Sequence, residues 1–375
     1  MSETAYNVLS GLIERYARLR ERIKEGWYQR NISRVNEWKL MAYAFSRSYI
    51  GLVGGILVFL IVLLAIIGPY ISWEKYWEYR SVLEPERWLR PPCLAFNCNF
   101  PILGTDEWGR DVLAMIFYGM RISFIISLLV VALGVPLGIV LGLLAGYKGG
   151  MIDEILMRFT DMFIAFPGLI LAIAFATVLP QRIRGLLDTY PILKDSLLGL
   201  FALRPQEYGQ LSSLLSVFLA LIMVWWPSYA RIVRGSVLSV KEQTFIEAAR
   251  SLGLSTWRIL IKHIFPNIIS PILVMATFDL ATATLLAAAL SFLGLGPQDP
   301  VPELGFMISK AGLYFPERSW WIVVVDGTAL LIIALGWNLL GDALRDIFDP
   351  RTRRAIEVRA RAKSLKKGKK EGSKG

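Results

Sequence analysis

Residues 49–71 read YIGLVGGILVFLIVLLAIIGPYI, with no charged side chain among them. A helix rises about 1.5 Å per residue, so about 20 apolar residues cross the roughly 30 Å hydrocarbon layer of a bilayer. Inside lipid every backbone N–H and C=O must be bonded within the protein, which makes a helix the form this run takes. It starts deep in the chain and exceeds the roughly 7–15 apolar residues of a cleaved signal peptide. It is expected to stay as an anchor, with the residues before it inside.

Five further stretches share the pattern: 122–147 is uncharged, 158–179 carries Arg158 and Asp161 at its start, and 211–229 ends in Trp-Trp-Pro. The stretch 270–293 contains Asp279, and 320–340 contains Asp326. The composition agrees. Of 375 residues 55% are apolar and 19% charged, against about 45–50% and about 25% in soluble chains. Such a chain is neither disordered, collagen-like nor a disulfide-rich mini-domain. The expected fold class is all-α: a polytopic membrane protein with six transmembrane helices.

Charge sets the expected orientation. Of the 41 Lys and Arg residues, 28 fall in 1–48, 147–157, 231–267 and 341–375. Basic residues favour the cytoplasmic side, so both termini are expected there. The net charge of +11 then reports orientation, and the basic tail 351–375 is expected to be disordered or to lie on anionic headgroups. A nucleic-acid partner is not expected, since the remaining chain offers no recognition fold. Cys93 and Cys98, both in the first outer loop, read equally as a disulfide or as two free thiols. The single histidine, His263, argues against a metal site.

The longest inner loop reads RIVRGSVLSVKEQTFIEAARSLGLSTWRILIKHIFPN, 231–267. Thr244 and Glu247 stand three apart, the spacing of a capping box. Phe245, Ala248, Ala249 and Leu252 fall on one helical face. Gly253 is placed to stop the helix in a left-handed turn. Ser255 is placed to cap a second helix, whose stripe of Trp257, Leu260, Ile261 and Ile264 is expected to end at Pro266. By physics alone these are two short amphipathic helices padding the span ends.

The spacing Glu247, Ala248, Ala249, Gly253 and Pro266 also resembles the "EAA" loop of ABC importer permeases. The segments LGTDEWGRDVLAMIFYGMRIS (103–123), AGYKGGMIDEILMRFTDMFIAFPGLILAIA (145–174), LSFLGLGPQDPVPELGFMI (290–308) and WNLLGDALRDIFDPR (337–351) resemble permeases of the dipeptide/oligopeptide/nickel class. The first outer loop and 181–210 are longer than that pattern. The resemblance implies an ABC type I importer permease-like bundle. Its segments would be a cytoplasmic basic amphipathic stretch (1–48), a first span (49–71) and an outer loop with an interfacial segment (72–117). A permease core (118–345) holding the coupling loop 235–268 and a basic tail (346–375) would follow. It further implies a second homologous permease subunit, two ATP-binding subunits docked on the loop, and an extracytoplasmic substrate-binding protein. The cargo would be peptides, oligosaccharides or nickel. No phosphate-binding G-x-x-x-x-G-K-[ST] motif occurs, so ATP and Mg would sit on partner subunits, with no cofactor in this chain. No catalytic residue is expected, and the lipid bilayer is a further partner.

Other features carry two readings each. Gly134, Gly138, Gly142 and Gly146 form one smooth stripe, suited to close helix packing or to a sliding surface, with Pro136 as a kink. Asp279 and Asp326, costly in hydrocarbon, either line a translocation path or bond to a neighbouring helix. They also support the rival reading, an ion-coupled secondary transporter. Arg158 and Asp161 are spaced to pair on one helix. Asp106, Arg110 and Asp111 read as a charged turn near the outer surface.

Overall fold

A computed structural model describes residues 2–78, 84–93, 101–314 and 317–348. The described residues are helical, without a named strand. The helices are α1 (Ser2–Ile23), α2 (Trp27–Arg47), α3 (Tyr49–Ile71), α4 (Val112–Lys148), α5 (Gly150–Ile164), α6 (Gly168–Thr189) and α7 (Pro191–Phe201). They continue with α8 (Tyr208–Lys241), α9 (Thr244–Ser251), α10 (Thr256–Ile259), α11 (Phe265–Phe292), α12 (Leu304–Tyr314) and α13 (Trp320–Phe348). Among the described residues, six helices are long and apolar enough to cross a membrane. The described residues form two units, 2–56 with 336–348, and 57–335. The basic tail 351–375 lies outside the described residues.

The spans run longer than their apolar cores, and one is displaced. The expected third span, 158–179, is broken at Ala165–Pro167 and resumes as Gly168–Thr189. Pro167 has no N–H to give, and the residue before a proline is driven out of the helical region. Residues 158–164 therefore belong to α5, a separate amphipathic helix. The enlarged segment 181–210 is mostly helical, as the end of α6 and the whole of α7.

In the larger unit the core is the seam between α4 and α8. Asp111 starts α4 by accepting the Leu113 amide at 2.9 Å, as an N-cap does. The glycine stripe of α4 meets α8 directly. A Cβ at Gly138 would lie 2.5 Å from the Trp226 carbonyl oxygen and 2.5 Å from the Tyr229 Cβ. One at Gly142 would lie 2.5 Å from the Ala230 carbonyl oxygen, and one at Gly146 2.8 Å from the Val237 Cβ. Gly134 is looser, 3.3 Å from the Trp225 Cβ. Lipid supplies no hydrophobic drive between helices, so such backbone approach is what holds spans together.

In the smaller unit α1 and α2 form a hairpin through Gly26, whose φ of +74° suits glycine. Glu21 closes it by accepting the amides of Gly26 (2.9 Å) and Tyr28 (2.6 Å). Tyr6 meets Tyr43 edge to face at 5.6 Å. The first turns of α3 lie against the end of α13: a Cβ at Gly54 would approach the Leu340 nitrogen to 2.6 Å.

Candidate functional site

The loop after α8 is built from short pieces. Residue Gln243, extended at ψ 144°, precedes α9 and accepts the Ile246 amide at 2.9 Å through its carbonyl. No side chain caps α9, and Thr244 is its first helical residue, so the expected capping box does not form. The backbone leaves the helical region one residue earlier than the Thr-x-x-Glu spacing requires. Gly253 does end the turn, at φ +70°. Its amide donates to the Arg250 carbonyl at 2.9 Å and the Leu254 amide to the Ala249 carbonyl at 3.2 Å. This pair of bonds is a Schellman ending.

Ser255 stands at the start of α10 without a side-chain cap bond. The second helix does not end at Pro266. A π-helical turn, Leu260–Ile264, leads straight into α11, where Pro266 occupies the first turn. Because the backbone enters α11 already helical, the missing proline N–H leaves a carbonyl of the preceding turn without its usual donor, and the π-helical turn stands where that α-helical bond is lost. The loop is thus continuous in backbone with α8 on one side and α11 on the other.

Two faces of the loop differ. Ile246, Ala249, Ile259, Leu260 and Ile264 are buried. Leu252 is 80% exposed, Trp257 61% and Ile261 58%, and Phe245, Glu247 and Ala248 are exposed with them. The expected common face of Phe245, Ala248, Ala249 and Leu252 is therefore split, with Ala249 turned inward. Arg250 stacks over the Tyr147 ring at 5.3 Å.

The loop end of α8 is tied to its neighbours. Arg234 reaches Asp153 of α5 with two nitrogens, at 2.5 and 2.6 Å. Arg231 pairs with Asp161, and the Lys241 ammonium donates to the Gly146 carbonyl at 3.1 Å. Arg158 pairs with Glu154 at 2.7 Å, so the expected Arg158–Asp161 pair is replaced. Asp161 turns to a residue 70 positions away, which no spacing rule within one helix reveals.

Asp279 of α11 accepts the Tyr229 hydroxyl of α8 at 2.6 Å. Its partner is a tyrosine rather than a Thr, Asn or Arg group. The sequence pattern does not single out Tyr229, although a hydroxyl inside an apolar run is the available signal. Asp326 is fully buried, and neither of its carboxylate oxygens meets a hydrogen-bond partner among the described residues.

At the opposite end, the charged turn closes into a buried network. Arg110 is bonded to Asp106 at 2.6 Å and donates to the carbonyls of Tyr76 and Pro300, each at 2.7 Å. Asp299 stands 3.6 Å from the same guanidinium, and Lys310 bridges Asp299 and Glu107. Burial, then the neighbouring Asp106, push the Glu107 carboxyl above its ordinary range. Asp111 also takes the Trp73 indole N–H at 3.0 Å. The carboxylates of this turn are tied to cations, the Trp73 indole and backbone amides, and the arrangement is a structural clasp. Cys93 is disulfide-bonded, while Cys98 lies outside the described residues. Among the described residues no group of three or more His, Cys, Asp or Glu could hold a metal.

Comparison with known proteins adds a second line. The family described as binding-protein-dependent transport system inner membrane component matches residues 138–354. The N-terminal transmembrane domain of oligopeptide transport permease C matches residues 36–92. A dipeptide transport system permease of Alkalihalophilus pseudofirmus is 33% identical over 84% of this chain and 91% of its own. A di/tripeptide transport system permease of Pseudomonas aeruginosa is 34% identical over 81% and 89%. A glutathione transport system permease of Escherichia coli is 33% identical over 84% and 90%.

Proposed function

This chain belongs to the family of binding-protein-dependent transport system inner membrane components, and from that premise we propose that it imports short peptides as one permease of an ATP-driven complex. It is a multi-pass ABC permease of the peptide class. In our reading both termini face the cytoplasm, a second homologous permease completes the pathway, and two ATP-binding subunits dock on the loop around Glu247, Ala248, Ala249, Gly253 and Pro266. ATP and Mg reside on those subunits. An external binding protein delivers the peptide. Oligosaccharides and nickel remain the other cargo classes of the resemblance, and the peptide and glutathione permeases among the relatives favour peptides.

The observation that carries the coupling role is the two-faced loop. Its inner apolar face is buried against the spans, while Leu252, Trp257 and Ile261 stand bare. A solvent-facing apolar patch of this kind marks a protein contact. Closure of the ATP-binding subunits would pull the loop, which hands the motion to α8 and α11 through unbroken backbone. Because α8 packs on the α4 glycine stripe and is tied to α5, the pull reaches those helices as one body. Two discrete packings of such a seam would supply the inward- and outward-facing states.

The test is reconstitution of the chain with the second permease, the ATP-binding subunits and the external binding protein, followed by uptake of a labelled tripeptide. Uptake should need ATP and should survive a protonophore. Uptake driven by a proton gradient without ATP would favour the ion-coupled reading built on Asp279 and Asp326 instead.

A further inference from the structure

Among the described residues, the α1–α2 hairpin leaves one face of α1 without a protein partner. Along α1, Val8, Leu12, Leu19 and Ile23 are 59%, 56%, 56% and 77% exposed. At about 100° per residue these four positions lie within one narrow stripe. The residues that hold the hairpin together lie elsewhere: Ala17 is fully buried, and Tyr6 and Glu14 reach across to Tyr43 and Lys39 of α2. The bare stripe is therefore left over after the hairpin has formed.

Charge borders the stripe on both sides. Arg15, Arg18 and Arg22 follow one edge and, with Leu19, line an open groove. Arg20 follows the other edge. The acids nearby do not neutralise the arginine edge: Glu14 takes Lys39 at 2.9 Å and reaches Arg18 only at 3.6 Å, an exposed contact that a phosphate can replace, and Glu21 takes the amides of Gly26 and Tyr28. Among the described residues no ion pair uses Arg15 or Arg22. Only Ser48 separates α2 from the first span, so the hairpin is tethered beside the headgroups.

We propose that α1 lies on the membrane surface, with Val8, Leu12, Leu19 and Ile23 sunk among acyl chains and Arg15, Arg18 and Arg22 on anionic lipid phosphates. An apolar stripe flanked by arginines, on a helix of low overall hydrophobicity, has the chemistry of an interfacial helix. Arginine also forms paired bonds to phosphate oxygens. The expected consequence is that anionic lipid fixes the hairpin while neutral lipid leaves it loose.

The experiment uses the full chain in nanodiscs of phosphatidylcholine, with or without one quarter phosphatidylglycerol. An NBD fluorophore is placed at Leu19→Cys or Asn7→Cys in a Cys93→Ser, Cys98→Ser background, and acyl-chain spin-labelled lipid serves as quencher. The Leu19 probe should be quenched in the phosphatidylglycerol discs and much less in pure phosphatidylcholine, while the Asn7 probe stays wet in both. Each arginine near an anionic surface is worth about fivefold in the docked-to-free ratio. Arg15→Gln, Arg18→Gln and Arg22→Gln together should lower that ratio about 100-fold in phosphatidylglycerol. Equal quenching at both positions, or in both lipids, would overturn the proposal. So would a Leu19 probe shielded only when the ATP-binding subunits are added, which would assign the face to a protein.

Discussion

Arg234 of α8 grips Asp153 of α5 through two nitrogens, at 2.5 and 2.6 Å. The hydrogen bonds from Arg234 hold the Asp153 carboxyl below its ordinary value. The pair stands beside the Arg231–Asp161 contact and the Lys241 bond to Gly146. In the proposed cycle it makes α5 follow α8 when the loop moves. Asp153→Asn should therefore lower uptake more than it lowers stability. For a partly exposed pair the stability loss is about 1 kcal/mol or less. Exchanging the two residues, Asp153→Arg with Arg234→Asp, should restore much of the uptake. Uptake rates and thermal melts of the three proteins decide it, and full uptake by Asp153→Asn alone would remove α5 from the moving body.

The glycine seam gives a steric prediction. At Gly138 even one methyl group would stand 2.5 Å from the Trp226 carbonyl oxygen, and backbone cannot swing away as a side-chain end can. Gly138→Ala should destabilise by about 1–3 kcal/mol, and Gly138→Leu should abolish transport. Gly134→Ala, where the nearest atom is 3.3 Å away, should be mild. Thermal melts of the purified variants rank them, and normal uptake by Gly138→Leu at normal expression would refute close packing as the requirement.

Asp279 separates the two transport readings. Its Tyr229 bond survives in Asp279→Asn, since an amide oxygen still accepts from the hydroxyl. If the carboxylate is structural, Asp279→Asn keeps ATP-driven uptake, while Tyr229→Phe and Asp279→Leu lower the melting temperature. A buried group left without its partner costs about 1–3 kcal/mol. Loss of uptake in a stable, well-folded Asp279→Asn protein would instead give the carboxylate a direct part in translocation.

Six runs of apolar residues were enough to number the spans, because bilayer thickness fixes their length. The Pro167 break is written in the sequence but masked by the hydropathy of its flanks, so residues 158–164 of α5 read as the start of the third span. Arg158 and Asp161 show a second limit. Their spacing suits a local pair, yet Arg158 takes Glu154 one turn earlier on the same helix, and Asp161 takes Arg231 from α8, which packs alongside. Gly253 was legible since only backbone geometry decides it, whereas the Thr244 cap failed on a one-residue shift in helix start. The Arg110 clasp joins residues up to 190 positions apart, and no periodicity in the chain encodes that.

Glu303 yields a pH prediction. It is 1% exposed and accepts the Phe306 amide at 2.9 Å, and burial pushes its carboxyl from the ordinary 4.5 up to about 7. The folded chain thus holds this proton more tightly than the unfolded chain does. Its contribution favours folding below pH 4.5, falls away as pH rises from 4.5 to about 7, and is constant above that. At about 1.4 kcal/mol per pH unit the span amounts to about 3 kcal/mol. Glu303→Gln should flatten this part of the stability profile and gain relative to the native protein at pH 8. Melting curves at pH 5 and pH 8 measure it, and an unchanged difference between the two would show that Glu303 does not titrate there.

The most direct test of the account is capture of the ATP-binding subunits by the chain carrying Glu247→Ala and Gly253→Ala. Alanine at the +70° φ of Gly253 costs about 1–2 kcal/mol and tilts the bare apolar face away from its seat. The chain should insert at native levels, while captured ATP-binding subunit and ATP-driven peptide uptake both fall about tenfold or more, as loss of an interface anchor does. Native capture together with native ATP-driven uptake would contradict the assignment of this loop as the coupling element.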